Sequence, residues 1–384
     1  MIYLDNSSTT ELSPGVKLRM NEVMDDVWAN PSSIHAAGIK ANDCVQLARR
    51  QILNSLGVKN ISLSDLNRLI FTGSGTEANN LAIAGTAYTR RDVRFTRRII
   101  VSADQHPSVL EPIKRLENEG CEVVRISTTG GELNINEIRQ AVTPASILIS
   151  IMLVNNETGA VYDVKKAFAA ARAVNPNIVC HCDAIQGFRK IKDFNPDAFG
   201  CDLTVISAHK IHGPKGIGAL YVSKDAMKGR KLTPMMLGGE QENGMRSGTE
   251  NVIGIAGFAE AASEPPHIEH LNELREYLIL NLPHQISYKH TRQPAPHIVS
   301  ITLPGIKSET MLHYLSAKDI CVSAGSACTA RAKRVSNALL CWGATEREAD
   351  CSLRISLGKN NTKEDIDALT AALDSGLKEL VRVE

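Results

Sequence analysis

The decapeptide Ser207-Ala208-His209-Lys210-Ile211-His212-Gly213-Pro214-Lys215-Gly216 places a lysine between two apolar runs, 201–206 and 217–222. Lysine is rarely taken out of water unless it is paired or chemically used. A desolvated amine gives up its proton more readily, which suits it to attack a carbonyl and form a Schiff base. A second stretch, Phe71-Thr72-Gly73-Ser74-Gly75-Thr76-Glu77-Ala78-Asn79-Asn80, is a glycine-rich turn leading from a strand pattern into a helical one. Free backbone N–H groups and the helix dipole there make a cradle for a phosphate, although a Thr N-cap with no ligand accounts for the same residues. A third stretch, Val179-Cys180-His181-Cys182-Asp183, contains metal-ligand residue types. The two-residue strand period, however, puts Cys180 and Cys182 on one face and His181 and Asp183 on the other. The cysteines therefore read as small buried apolar residues, and no metal is expected. Asp183, at a strand end, can pair with a cationic ring nitrogen, and Gln186 three residues on can reach a neighbouring oxygen.

These residues need elements to hold them. Amphipathic helical patterns at about 15–28 and 37–56 flank the turn chemistry of Asn30-Pro31-Ser32-Ser33-Ile34-His35. From residue 68 the pattern alternates: strands at 69–71, 99–103, 121–126, 146–154, 178–182 and 203–207, with helices at 76–88, 107–119 and 163–174 between them. Such alternation predicts an α/β fold in which a mostly parallel sheet is covered by helices. Ligands of such sheets sit beyond the carboxyl ends of the strands. The polar clusters Gly73–Thr76, Gln105-His106, Asn155-Asn156-Glu157 and Asp183 mostly occupy those positions. After about residue 256, helices at 271–282, 308–318 and 362–380 with short strands predict a smaller α+β domain. The expected division is a large domain over 15–255 and a small one formed by 1–14 with 256–384.

Composition sets outer bounds. Charged residues make up 22% and hydrophobic ones 43% of 384 residues, and the formal net charge is +1. That balance gives no global pull toward nucleic acid or an anionic membrane. The start Met1-Ile2-Tyr3-Leu4-Asp5 does not read as a secretory signal, and no apolar run is long enough to span a bilayer. The nine cysteines are an odd number with no such signal, so a disulfide framework is not expected and a reducing cytoplasm is.

A Schiff-base lysine, an acidic partner for a ring nitrogen, a phosphate cradle and an imidazole in a loop form the set that pyridoxal phosphate (PLP) needs. Together with Tyr3–Thr10, Asn30–His35, Asn155–Gly159, His181–Gln186 and Ser207–Lys210, the sequence resembles the cysteine desulfurases, relatives of the class V aminotransferases with PLP fold type I. Ser323-Ala324-Gly325-Ser326-Ala327-Cys328-Thr329 resembles the persulfide loop of their iron–sulfur-assembly type. The resemblance implies that Lys210 carries the cofactor, Asp183 keeps its ring nitrogen protonated, Gln186 bonds the ring hydroxyl and His106 stacks on the ring. It implies a phosphate site from Gly75, Thr76, Ser207 and His209, completed by Thr249 of a partner subunit in an obligate homodimer. Asn155, also counted with the cofactor-binding residues, and Arg354 would hold the substrate carboxylate, for which a planar guanidinium fork is suited. L-cysteine would be converted to L-alanine, with its sulfur passing as a persulfide to Cys328. Cys328 stands among glycine and serine, as a mobile loop would, whereas Cys44, Cys121, Cys201, Cys321, Cys341 and Cys351 suit buried structural positions better.

The same resemblance points up departures. Gln105 stands where a Glu is common, and Glu240 and Asn243 stand where Gly and Arg are usual. Thr329-Ala330-Arg331-Ala332-Lys333-Arg334 replaces a more neutral stretch after Cys328. The chain ends at Glu384 directly after its last helical pattern, so the tail used to bind a scaffold protein is expected to be missing. Five arginines fall within Arg90–Arg98. A charge run of this kind is usually a solvated loop, and its other use would be to dock an acidic or nucleic-acid-modifying acceptor protein. Iron–sulfur assembly, tRNA thiolation and DNA phosphorothioation all remain open as destinations of the sulfur. An aminotransferase or a selenocysteine lyase on the same scaffold is the alternative reading, and neither needs a persulfide cysteine.

Overall fold

The computed structural model describes residues 1–89, 97–325 and 335–381. In chain order its strands are β1 (Ile2–Tyr3), β2 (Leu69–Thr72), β3 (Arg98–Ser102), β4 (Glu122–Ile126), β5 (Ser146–Met152) and β6 (Val179–Asp183). They continue with β7 (Leu203–Ser207), β8 (Gly218–Val222), β9 (Ser287–Tyr288), β10 (Ile298–Thr302), β11 (Ile320–Cys321) and β12 (Ser352–Ser356). Seven of them form one sheet in the order β2-β8-β7-β6-β5-β3-β4. Only β8 runs against its neighbours, being antiparallel to both β7 and β2. Strands β5, β6, β7 and β8 are buried at every residue. That explains their nearly continuous apolar sequences, because a parallel sheet is covered on both faces.

The two faces pack into different cores. Cys180, Cys182 and Ile206 join a cluster with the helices Pro14–Asp26, Ala36–Ser55, Val164–Val174 and Val252–Ser263. Val179, Leu203 and Val205 join a second cluster with the helices Gly75–Thr89 and Pro107–Asn118. The strand period read from the sequence is therefore the period of the packing. A third cluster gathers Leu4 with Leu271, Leu278, Val299, Leu315, Leu353 and Leu373, around the antiparallel sheet β9-β10-β12. The amino terminus enters this cluster because β1 pairs with β11 and Asp5 bridges to Ser356.

Direction in the main sheet places the functional segments. Because β2, β3, β5, β6 and β7 all point the same way, the turn 73–76, His106, Asn155, Asp183 and the Ser207–Lys210 turn leave from one edge. Gly218 lets the glycine turn close over β8, since a Cβ there would lie 2.6 Å from the Ser74 carbonyl carbon.

One buried ion pair fastens the 237–244 segment to this sheet. Arg49 Nη2 meets Glu242 Oε1 at 2.6 Å, and the Phe71 N–H donates to Glu242 Oε2 at 3.1 Å. Both side chains are buried, and the guanidinium also lies over the Phe71 ring. The segment carries backbone strain, for Glu240, Glu242 and Asn243 all have φ between 52° and 63°, a region in which non-glycine residues cost about 1–2 kcal/mol. Of the departures noted above, Glu240 thus occupies a conformation that suits glycine. Removing one partner of a buried pair typically costs about 3–5 kcal/mol. Glu242→Ala should lose stability on that scale in urea unfolding at fixed protein concentration, and Arg49→Met/Glu242→Leu should recover most of it. A loss of under about 1 kcal/mol, the range of exposed pairs, would contradict the structural role.

Candidate active site

Beyond the carboxyl edge of the sheet lies a cavity of about 250 Å³. Its floor is Asp183, the last residue of β6. Asp183 Oδ2 accepts a hydrogen bond from Asn79 Nδ2 at 2.8 Å, and its Oδ1 accepts one from the Ile185 N–H at 3.0 Å. Burial pushes the carboxyl's pKa up, while the Ile185 N–H, Asn79 and the positive charge of Lys210 draw it back. Asn79 Nδ2 also donates to Ser108 Oγ at 2.9 Å, which lies 2.8 Å from His106 Nδ1. The Ser108 N–H donates to the same Nδ1 at 3.1 Å, so Nδ1 is an acceptor and a neutral ring carries its proton on Nε2. Burial, reinforced by Lys210 and Arg354, lowers the His106 pKa to about 4.

Lys210 follows β7 in a turn of 3-10 helix, and its Nζ donates to the carbonyls of Ser7 at 2.7 Å and Ser8 at 2.6 Å. Gln186 Nε2 donates to the same Ser7 carbonyl at 2.8 Å. The amino-terminal segment thus sets both the lysine and the glutamine. At the other end of the cavity stand Ser74, Gly75, Thr76, Ser207 and His209. A Cβ on Gly75 would lie 2.4 Å from Ile185 Cδ1, so a side chain there would have to push that methyl aside. Ser207 Oγ is buried without a protein partner. Desolvation, with Lys210, Lys215 and Lys190 nearby, lowers the His209 pKa to about 3. Arg354, on β12, closes the cavity from the opposite side. Its Nη2 pairs with Asp5 Oδ1 at 2.8 Å, its Nη1 donates to the Asn156 carbonyl at 2.9 Å, and its buried Nε has no protein partner.

Lys210, Asp183, Gln186, His106, Gly75, Thr76, Ser207, His209 and Arg354 therefore meet around one cavity. Asn155 does not join them. Its Nδ2 donates to Asp104 Oδ2 at 2.7 Å and its Oδ1 accepts from the N–H groups of Glu157 and Thr158, so the cavity wall is Asn156 instead. Thr249 is exposed and outside the cavity of its own chain. Its neighbour Arg246 pairs at 2.8 Å with Glu77, at the start of the helix that follows the glycine turn. Cys328 and the residues around it, 326–334, lie outside the described residues, as do 90–96 of the arginine run. Sequence reading missed Asn79 and Ser108. The available signal was an asparagine on the face that Ala82, Ile83 and Thr86 bury in the helix Gly75–Thr89.

The aminotransferase class-V family model matches residues 2–369. The chain belongs to the class-V aminotransferase family. It is 35% identical to a protein named cysteine desulfurase from Trichormus azollae, over 96% of this chain and 90% of that one. A solved NifS-like protein superposes with a TM-score of 0.89 at 31% identity, covering 99% of this chain and 100% of the other. A structure described as SspA in complex with cysteine gives a TM-score of 0.82 at 31% identity, over 93% and 99% of the two chains.

Enzymes of this family depend on PLP, and the residues present fit it. A buried carboxylate and a lysine amine face one cavity, a hydroxyl without a partner stands beside the glycine turn, and a neutral imidazole lines the same cavity. The histidine also makes a testable contribution to stability. Its folded-state pKa of about 4 lies below the ordinary 6.5, so the unfolded chain takes up this proton first as pH falls. The stabilisation from the neutral ring is therefore complete above pH 6.5 and is lost progressively toward pH 4. His106→Gln should make the fall in unfolding free energy over that window shallower by up to about 1.4 kcal/mol per pH unit, the slope for one proton. Identical slopes for the two proteins would show that the ring titrates normally.

Proposed function

We propose that this protein is a PLP-dependent cysteine desulfurase that converts L-cysteine to L-alanine and places the sulfur on Cys328 as a persulfide. The observation that carries the proposal is the meeting of Lys210, Asp183 and Arg354 around one cavity, contributed by three separate parts of the chain. Bound there, PLP supplies an electron sink that labilises bonds at the substrate alpha carbon. Lys210 holds the cofactor through its Nζ, and afterwards that amine can move a proton at the substrate carbon. The Asp183 carboxylate holds the proton on the ring nitrogen, and Asn79 and Ile185 fix its direction. Gln186 faces the ring hydroxyl, and His106, neutral through its depressed pKa, lies against the ring without adding a positive charge. The turn at Gly75 and Thr76, with Ser207 and His209, receives the phosphate. Arg354 presents its guanidinium to the substrate carboxylate, a charged and directional contact. Asn155 supports this indirectly, by bracing the 155–158 turn whose Asn156 carbonyl holds Arg354.

The Cys328 thiolate then attacks the substrate sulfur. A sulfur–sulfur bond forms, the carbon–sulfur bond breaks, and its electron pair stays with carbon, which is protonated to give alanine. Cysteine thiols react as thiolates, so this step favours conditions in which Cys328 is ionised. The sulfur would next pass to an acceptor protein, acidic or nucleic-acid-modifying if the arginines flanking Cys328 and those of 90–98 guide it.

The proposed state is a homodimer in which Thr249 completes the phosphate site of the partner. The exposed Trp28 (77%), Ile34 (95%) and Leu237 (79%) provide apolar surface for such a contact. We also propose two domains, with one change of boundary: the helix Val252–Ser263 packs in the first core cluster, so the large domain runs to Ser263 rather than 255. A reducing cytoplasm suits Cys180, Cys182 and Cys201, which are buried and unbridged. Among the described residues no helix is long and apolar enough to cross a membrane.

Cys328→Ser should still bind PLP and respond spectrally to L-cysteine, yet form no persulfide and little alanine. Intact mass after one turnover checks this, and added sulfur at another cysteine would overturn the assignment. Lys210→Ala and Thr249→Ala should each be inactive alone, and mixed subunits should regain one composite site per heterodimer. A monomeric protein, or a Thr249→Ala variant with unchanged cofactor affinity, would contradict the shared site.

A further inference from the structure

On the other side of Lys210 lies a second, smaller cavity of about 50 Å³. It opens at the seam between the first core and the cluster that includes Leu271 and Leu357. Lys190 forms part of its wall and is only 8% exposed, and its Nζ is buried with no protein hydrogen-bond partner. The adjoining Arg189 also lines the cavity and has a buried Nε without a partner. Arg189 holds a left-handed backbone (φ 61°), a strained conformation for so large a residue, at the turn that sends Lys190 inward.

The charge around this cavity is one-sided. Among the described residues Glu264 is the only carboxylate lining it, and it is already paired with Lys359 at 2.6 Å and bonded by Ser13. Arg189 donates from Nη2 to the Glu264 carbonyl, and Lys190 is left in the lining with its Nζ unpartnered. Of the rings in and around the lining, His209, His212 and His297 have lowered pKa values caused first by burial and do not add to the charge, and His267 also lines the cavity. A buried cation without a partner is expensive, and the ordinary remedies are to lose the proton or to gain an anion.

We propose that this cavity is a binding site for one halide-sized monovalent anion, held by Lys190 and Arg189 behind the active-site lysine. The volume suits that occupant. A water needs about 10–15 Å³ on this measure, so the space takes a chloride or bromide with a little water and is too small for an organic phosphate. The site is independent of the desulfurase reading, since it rests on neither the cofactor nor Cys328. It also gives Lys190 a reason to stay charged. Burial, with Lys210 and Arg354 nearby, lowers its pKa to about 7, and a bound anion would raise it again. Anion affinity should therefore be highest below pH 7 and weaken above it.

The test uses the full chain with chloride as the probe, read by excess relaxation of the chloride-35 nucleus, in wild type and in Lys190→Met. Methionine matches the length of the lysine stem and can stay buried. Wild type should show a saturable excess that declines above pH 7. The variant should bind chloride at least about tenfold more weakly, the scale of losing one charged hydrogen bond. No saturable excess in wild type, or the same excess in both proteins, would overturn the site. If Lys190→Met does not fold, bromide in crystals of the wild-type protein decides the question: an anomalous peak in contact with Lys190 supports the site, and peaks only elsewhere refute it.

Discussion

The contact on which the site depends is that between a helix amide and a strand-end carboxylate, Asn79 with Asp183. A carboxylate this deeply buried is costly unless its oxygens are satisfied. Asn79 and the Ile185 N–H satisfy one oxygen each and leave the group facing the cavity. Through Ser108 the same amide fixes the tautomer of His106. One asparagine thus orients the acid and the imidazole together. It can do so because the helix Gly75–Thr89 begins at the glycine turn and packs on the face of the sheet from which Asp183 projects.

The amino-terminal segment is the second constraint. Ser7 and Ser8 come to Lys210 because β1 pairs with β11 and Asp5 bridges to β12. Asp5 in turn pairs with Arg354. A small movement of the sheet β9-β10-β12 relative to the main sheet would shift the lysine's carbonyl partners and the arginine together. The second cavity lies on the same seam, behind Lys210.

Much of this could be read from the sequence. Continuous apolar runs marked the buried strands, and the period of 179–183 put Asp183 on the face opposite Cys182, where the structure has it. The expected strand at 146–154 ends two residues early, at Met152: the chain bends at Leu153, whose N–H still donates to the Asp183 carbonyl, and Val154 pairs with Val161 instead. The short helices Leu63–Leu66, Ile135–Ala141, Lys224–Lys228, Asn337–Trp342 and Glu346–Asp350 were not foreseen. They are too short to show a period, and capping side chains such as Ser62 and Thr345 define them instead. Asn155 shows the limit at the site itself. Its residue type suits a substrate carboxylate, but only the fold reveals that Asp104 and the following turn already occupy its amide. Lys190 gave no sequence signal, because a lysine among Arg189, Ile191 and Lys192 looks like an ordinary charged loop.

The central claim is that Asp183, held by Asn79, fixes the protonation of a pyridine ring bound between it and Lys210. The most direct measurement is the nitrogen-15 chemical shift of ring-labelled PLP in the full-length protein, compared with Asp183→Asn. The account predicts a protonated ring nitrogen at neutral pH in the wild type and an unprotonated one in the variant. An unprotonated nitrogen in the wild type, or the same shift in both proteins, would contradict it.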